Sequence, residues 1–136
     1  MSRSGYSDDC DDWELIMWRG AVNRAIRGKR GQAFLRELIA AMDAMPAKRL
    51  IAHDLIKDGE VCAIGSVAVA RSTNVSGLDP YNSEAIAKCM GIAESMVKEI
   101  EFINDECCYP LETPEHRFSR VYQWGKEHIK EPGPKE

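Results

Sequence analysis

The sequence predicts a mainly α protein, a compact single-domain helical bundle of about five or six helices, with a short β-hairpin around residues 49–69 as an alternative for that segment. Apolar residues recur at steps of three and four over most of the chain, which is the spacing of an amphipathic helix. The length of 136 residues fits one domain. The chain has 44% hydrophobic and 29% charged residues, a composition that excludes collagen-like and wholly disordered proteins.

Three regions are predicted along the chain. Residues 1–10 are expected to form a flexible N-terminal arm, residues 11–130 the single globular helical domain, and residues 131–136 a disordered tail. The polar start lacks the apolar segment of a secretory signal. No stretch approaches the roughly 18 consecutive apolar residues of a membrane span.

The first two helices are predicted to form a helical hairpin or a helix-turn-helix. The first covers about residues 11–27 and has acidic residues in its first turn, where they complement the helix dipole. Its apolar positions are Trp13, Ile16, Met17, Ala21, Val22, Ala25 and Ile26. Gly28-Lys29-Arg30-Gly31 forms the connection, and the second helix covers about residues 32–45. Pro46 ends it, because proline disfavours helical geometry in the preceding residue.

The segment 49–69 fits more than one structure. Residues 49–61 fit a short helix or a strand, and Asp58-Gly59 is a turn signal. Residues 62–71 are apolar and small, which favours a buried helix over a strand. If both parts were strands, Asp58-Gly59 would join them in a β-hairpin.

Three further helices complete the predicted bundle. They cover about residues 83–90, 92–106 and 114–130. Asn82 or Ser83 can cap the first of them, and Gly91 separates it from the next. Thr113-Pro114-Glu115 starts the last, because it combines an N-cap hydroxyl, a proline in the first turn and an acid.

Charge is unevenly distributed in the sequence. The net charge of −4 is too small to indicate a DNA mimic. Residues 19–36 nevertheless contain six basic residues and no acidic one, so the rest of the chain carries −10. Residues 94–115 hold seven acids and one lysine. The candidate partner- or phosphate-binding residues are Arg19, Arg24, Arg27, Lys29, Arg30 and Arg36.

Three interpretations of the basic segment remain open at this point. In the first, the basic and acidic regions pair within the fold or between the subunits of a homo-oligomer. In the second, the basic turn binds an acidic protein partner. In the third, Lys29, Arg30 and the amides of residues 31–33 bind phosphate, because helix N-termini bind anions. A DNA-reading helix is disfavoured, since only Gln32 and Arg36 could read bases, and GKRG lacks the spacing of a P-loop.

The cysteines favour free thiols in a reducing cytosol. Their number, five, is odd, unlike that of a secreted disulfide framework. Cys62 is predicted at a helix N-terminus, where a thiol pKa can be lowered, so a Cys62-dependent enzyme is one hypothesis. A small core residue is the favoured interpretation of Cys62. Cys107-Cys108 lacks the spacing of zinc ligands, and neither a metal nor a cofactor is predicted.

The aromatic residues indicate an interface more than a catalytic site. No motif of a catalytic site occurs, and an enzyme is not predicted. Trp13 and Trp18 are candidate interface aromatics. Five residues separate them by about 140° around a helix, so one can pack in the core while the other faces a partner.

Four segments carry a family resemblance. They are MSRSGYSDD, WRGAVNRAIRGKRGQAFLREL, RLIAHDLIKDGEVCAIGSVAVAR and ETPEHRFSRVYQW, distributed over nearly the whole chain. Together they resemble a family of small proteins of tailed bacteriophages and prophages. The resemblance implies an accessory protein in the cytoplasm of the infected bacterial host, and it implies no catalytic residues.

The favoured hypothesis is a non-enzymatic phage accessory protein that binds a host or phage protein and modulates a host factor or host defence. The alternative is a nucleic-acid-binding accessory protein that uses the basic hairpin at residues 19–36. No membrane association is expected.

Overall fold

A computed structural model confirms the mainly α fold with a short β-hairpin. It describes residue 3, residues 12–106 and residues 112–130, with backbone alone at residues 12–15. This part of the chain contains six helices and a two-stranded antiparallel sheet. In chain order the elements are α1 (Asp12–Arg27), α2 (Lys29–Ala44), β1 (Ile56–Lys57), β2 (Glu60–Val61), α3 (Ala63–Ala70), α4 (Ser83–Met90), α5 (Glu94–Asp105) and α6 (Pro114–His128). The predicted tail, and the predicted arm apart from Arg3, lie outside the described residues.

The connection between α1 and α2 is shorter than predicted. Gly28 alone separates the two helices, and it donates its backbone N–H to the carbonyl oxygen of Arg24 at 3.0 Å. Gly31, predicted to belong to the connection, lies inside α2. A Cβ at Gly31 would lie 1.9 Å from the carbonyl oxygen of Ala25. The missing side chain therefore allows α2 to turn directly against the last turn of α1.

Helices α2 and α5 provide most of the core contacts. Helix α2 packs against α1, α3 and α6, and α5 packs against α1, α3, α4 and α6. Their buried apolar side chains are Phe34, Leu35, Leu38 and Met42 on α2, and Met96, Val97, Ile100 and Ile103 on α5. The three- and four-residue spacing places one side of each helix in the core.

The β-hairpin in the segment 49–69 is only two residues long on each side. Ile56 pairs with Val61, and Lys57 pairs with Glu60. The turn residues Asp58 and Gly59 have φ of 54° and 80°, as a tight hairpin turn requires. Residues 63–70 are helical, so the strand alternative for that part is wrong. Residues 63–68 are all buried, which suits a helix because it satisfies its own backbone hydrogen bonds.

Helices α4 and α6 begin where their capping residues predicted, whereas α5 begins two residues later than predicted. Asn82 accepts a hydrogen bond from the backbone N–H of Ala85 at 3.1 Å, and Thr113 accepts one from His116 at 3.1 Å. Helix α5 starts at Glu94, after the left-handed Gly91 with φ of 75°. Among the described residues, none of the helices has the length and apolar character needed to cross a bilayer.

Candidate functional site

The side of α1 that points away from the core combines exposed apolar and cationic residues. Val22 and Ile26 are buried and mark the inner side of the helix. Ile16 is 63% exposed and Met17 is 54% exposed. We call the opposite side the outer face of α1, which consists of Ile16, Met17, Gly20, Arg24 and Arg27. Apolar residues in its first half are therefore followed by cations in its second half.

The apolar pattern of α1 did not distinguish core from surface correctly. Ile16 and Met17 fit the predicted amphipathic spacing, yet both face solvent. Trp18 is half-buried and packs against the core, and Lys98 Nζ lies 5.0 Å from the centroid of its ring. The side chain of Trp13 lies outside the described residues.

Four of the six candidate basic residues are exposed, and their side chains have neither a hydrogen bond nor an ion pair to a described residue. They are Arg24, Arg27, Lys29 and Arg30. Arg19 pairs with Glu99 at 2.9 Å, so charge pairing within the fold occurs at this one position of the basic segment in the described chain. Arg36 donates a hydrogen bond to the carbonyl oxygen of Lys130 at 3.0 Å. Arg24 and Arg27 belong to the outer face of α1, and Lys29 and Arg30 extend this cationic surface onto the first turn of α2.

The amides of residues 31–33, which the sequence offered as a phosphate grip, lie inside α2 and not at its first residue. Because α2 starts at Lys29, the amide of Gln32 already donates to the carbonyl oxygen of Gly28 at 2.9 Å. The carbonyl oxygens of Ala25 and Ile26 also face Gly31. The negative end of the α1 dipole thus lies beside the positive end of α2 and opposes anion binding there.

Gln32, considered as a base-reading residue, is instead a structural clamp. Its side chain is buried and donates to the carbonyl oxygens of Ile26 and His128 at 2.7 and 3.0 Å. It also accepts a hydrogen bond from the backbone N–H of Lys130 at 2.8 Å. Gln32 therefore holds the end of α6 against the α1–α2 connection and is not available to a ligand.

A second polar site is buried near the C-terminal end of α5. Arg3, which belongs to the predicted N-terminal arm, is 2% exposed. Its Nε and Nη2 atoms donate to the two carboxylate oxygens of Asp105 at 2.6 and 2.7 Å. Its Nη1 lies 3.4 Å from Glu101 Oε2 and 3.7 Å from Cys62 Sγ. We call Cys62, Glu101, Asn104 and Asp105 the acidic pocket, because two acidic side chains there face the buried guanidinium.

The two carboxylates of the acidic pocket have opposite pKa shifts. Burial raises the pKa of Glu101 to about 8, against the opposing charge of Arg3. Burial also acts on Asp105, but hydrogen bonds from Arg3, Asn104 and the His53 amide, with the charge of Arg3, hold its pKa below the usual range. Asp105 is therefore the charged partner of Arg3, and Glu101 binds a proton near neutral pH.

Cys62 occupies the predicted helix N-terminus but is not arranged as a nucleophile. Its Sγ accepts a hydrogen bond from the backbone N–H of Gly65 at 3.4 Å, and the residue is 1% exposed. Burial raises the pKa of the thiol, although Arg3 opposes this. The ring of His53 approaches Asp105 instead, with Nδ1 3.8 Å from Oδ2. The geometry thus does not support a Cys62-dependent enzyme.

The described residues contain no group of three or more His, Cys, Asp or Glu side chains placed to hold a metal ion. The pair Cys107-Cys108 falls outside them. No protein-family model, curated protein or solved structure matches this chain. The outer face of α1 and the acidic pocket are two candidate sites in the described part of the chain.

Proposed function

We propose that this chain is a non-enzymatic bacteriophage accessory protein that binds a protein partner in the host cytoplasm through the outer face of α1 and the first turn of α2. The observation that carries the proposal is the exposure of Ile16 and Met17 on the same helix side as Arg24 and Arg27. The resemblance of the sequence to phage proteins supports the setting, with a host factor or defence component as the partner.

The charge of this surface defines the chemistry of the partner. Arg24, Arg27, Lys29 and Arg30 complement an acidic protein surface, which would steer association and fix its orientation. Residues 16–27 extend over about 17 Å, which is enough for the centre of a small interface.

The apolar half of the outer face favours a protein over a nucleic acid. Protein interfaces bury apolar side chains at their centre and place charged residues at the rim. Phosphate contacts use cations and polar groups, and give Ile16 and Met17 no role.

Affinity capture from a bacterial host lysate tests the proposal. The tagged wild-type chain is compared with an Arg24→Glu/Arg27→Glu variant and with an Ile16→Ser/Met17→Ser variant. The control is Lys57→Glu/Lys88→Glu, which reverses two exposed cations on other elements. We expect a stoichiometric protein on the wild type and the control, and its loss from both outer-face variants.

Three results of this experiment would count against a protein partner. They are recovery of the wild-type chain alone, retention of the captured protein by the charge-reversal variant, and capture that a nuclease abolishes. Loss from the charge-reversal variant with full retention by Ile16→Ser/Met17→Ser would instead indicate a purely electrostatic ligand.

Nucleic-acid binding is the second candidate function, because four exposed cations have no described acidic partner. The charge of −10 outside the basic segment opposes it. Titration with duplex and single-stranded DNA over a range of salt concentrations distinguishes the two. Affinity that falls steeply with salt supports nucleic-acid binding, and no binding at low salt excludes it.

A further inference from the structure

We propose that the acidic pocket is a guanidinium-binding site, which Arg3 fills from within the chain and which an arginine side chain of another molecule can fill in its place. This inference concerns a different surface from the outer face of α1 and does not depend on the proposed function.

All three nitrogen atoms of the Arg3 guanidinium are recognised by the pocket. Two of them donate to the two oxygens of Asp105 in a fork, at 2.6 and 2.7 Å. The third faces Glu101 Oε2 at 3.4 Å and Cys62 Sγ at 3.7 Å. A planar guanidinium matches this arrangement, whereas an ammonium group cannot make the two parallel hydrogen bonds.

The walls of the pocket are held in place by residues other than Arg3. Asn104 accepts a hydrogen bond from the amide of Ala63 at 3.1 Å and donates to the carbonyl oxygen of Ile51 at 2.9 Å. It also donates to Asp105 Oδ1 at 2.7 Å. The end of α5 is fixed from α6 by Arg117, which donates to the carbonyl oxygen of Asn104 at 3.0 Å. The site is therefore preorganised for its cation.

Glu101 is a buried acceptor without a hydrogen bond. It is 1% exposed, and neither of its carboxylate oxygens accepts a hydrogen bond from a described residue. Arg3 Nη1 is close enough for an ion pair, yet it does not donate to Glu101. A hydrogen-bond acceptor that is buried without a donor lowers the stability of the fold. Glu101 therefore retains hydrogen-bonding capacity towards the guanidinium that Arg3 leaves unused.

His53 contacts the acidic pocket and has an exposed side chain. Its backbone N–H donates to Asp105 Oδ1 at 3.2 Å, and its side chain is 58% exposed. Its φ of 70° is unusual for a residue other than glycine. Such strain is commonly found at binding sites and switch regions.

Arg3 is a tethered occupant, since eight residues join it to α1. Because Arg3 belongs to the same chain, its binding is intramolecular and competes with that of an external guanidinium. An external guanidinium should therefore bind readily only when Arg3 is removed or when a partner supplies additional contacts.

The test uses the full-length Arg3→Ala variant and ethylguanidinium at about 10 mM, a concentration suited to a weak ligand. The readouts are Tm and the alkylation rate of Cys62, resolved by peptide mass spectrometry. We expect Arg3→Ala to raise Cys62 alkylation by about tenfold or more, because local opening exposes the thiol. Ethylguanidinium should restore slow alkylation and raise Tm, and ethylammonium should do neither.

The matched control is Arg3→Ala/Asp105→Asn, which removes the fork acceptor and should not respond to ethylguanidinium. Equal effects of ethylguanidinium and ethylammonium, or an equal response of the double variant, overturn the proposal. If Arg3→Ala does not fold alone, refolding in ethylguanidinium should recover the fold, and failure to do so also overturns it.

Light scattering distinguishes the two sources of an external arginine once the pocket has been shown to bind the probe. A wild-type dimer that Arg3→Ala converts to a monomer assigns the external arginine to a second copy of the chain. A wild-type monomer excludes a second copy of the chain as the source.

Discussion

Arg3 and Asp105 are 102 positions apart in the sequence, and their side chains share two hydrogen bonds of 2.6 and 2.7 Å. The same carboxylate accepts hydrogen bonds from the His53 amide at 3.2 Å and from Asn104 at 2.7 Å. One buried carboxylate therefore joins Arg3, the segment before the hairpin and the end of α5.

Arg3→Ala should lower the free energy of unfolding by about 3–5 kcal/mol, because it leaves the charged carboxylate of Asp105 buried without its cation. Urea denaturation followed by circular dichroism measures the change. Arg30→Ala is the control and should change stability by less than about 0.5 kcal/mol, since Arg30 is exposed. Equal effects of the two substitutions would show that the buried ion pairs do not stabilise the fold.

Glu101 should make the protein less stable as pH rises. Burial raises the pKa of Glu101 in the folded state from 4.5 to about 8. The contribution of this carboxyl to stability is therefore fully present below about pH 4.5 and is lost as pH rises through 8. Arg3, Lys98, Asp105 and Glu106 act on the same carboxyl. The pKa of Asp105 is lowered, so the stability that Asp105 contributes is lost only as pH falls below the range between 4.5 and 8.

Glu101→Gln should remove this dependence. The stability difference between wild type and variant should shift in favour of the variant between pH 5 and pH 8.5, with a slope of at most about 1.4 kcal/mol per pH unit. Urea titrations of both proteins at several pH values measure it, and the histidines cancel in the comparison. A constant difference across this range would contradict the raised pKa.

Gly31→Ala should destabilise the protein by about 1–3 kcal/mol, although alanine is the better helix former. The added Cβ would lie 1.9 Å from the carbonyl oxygen of Ala25 and would force α1 and α2 apart. Gly20→Ala is the matched control, because its Cβ would approach only the flexible Arg24 side chain, at 3.3 Å. In thermal unfolding, Gly20→Ala should raise Tm and Gly31→Ala should lower it. A change of Tm in the same direction for both substitutions would refute the close-contact explanation.

Gln32→Ala should destabilise the protein by about 1–3 kcal/mol, because it removes the clamp between the α1–α2 connection and the end of α6. Hydrogen exchange should become faster at the backbone amide of Lys130, which donates to Gln32. Gln123→Ala is the control, since Gln123 is exposed and contacts Glu127 on its own helix. Unchanged exchange at Lys130 in Gln32→Ala would argue against the clamp.

Helix positions were well predicted because their signals are local. Thr113 and Asn82 cap helices through hydrogen bonds to residues three positions later, so the sequence contains both partners. The turn at Asp58-Gly59 was predicted for the same reason. The start of α2 was misplaced because Gly31 resembles a helix breaker, while its role is to allow contact with Ala25.

The candidate sites were predicted less completely. The exposed cations at Arg24, Arg27, Lys29 and Arg30 were visible as a charge cluster. The exposure of Ile16 and Met17 was not predicted. The apolar residues of α1 cover more of the helix circumference than the part that packs in the core. The acidic pocket had no sequence signal, since its charged partners are separated by about a hundred positions.

The sequence by itself determined the helical class, most helix boundaries and the segregation of basic from acidic residues, because these depend on composition, period and capping over a few neighbours. The tertiary structure alone decided which apolar residues of α1 face solvent, that Gln32 is a clamp, and that Arg3 is buried against Asp105 and Glu101. These outcomes depend on which surfaces pack together, and packing is set by contacts between residues far apart in the chain.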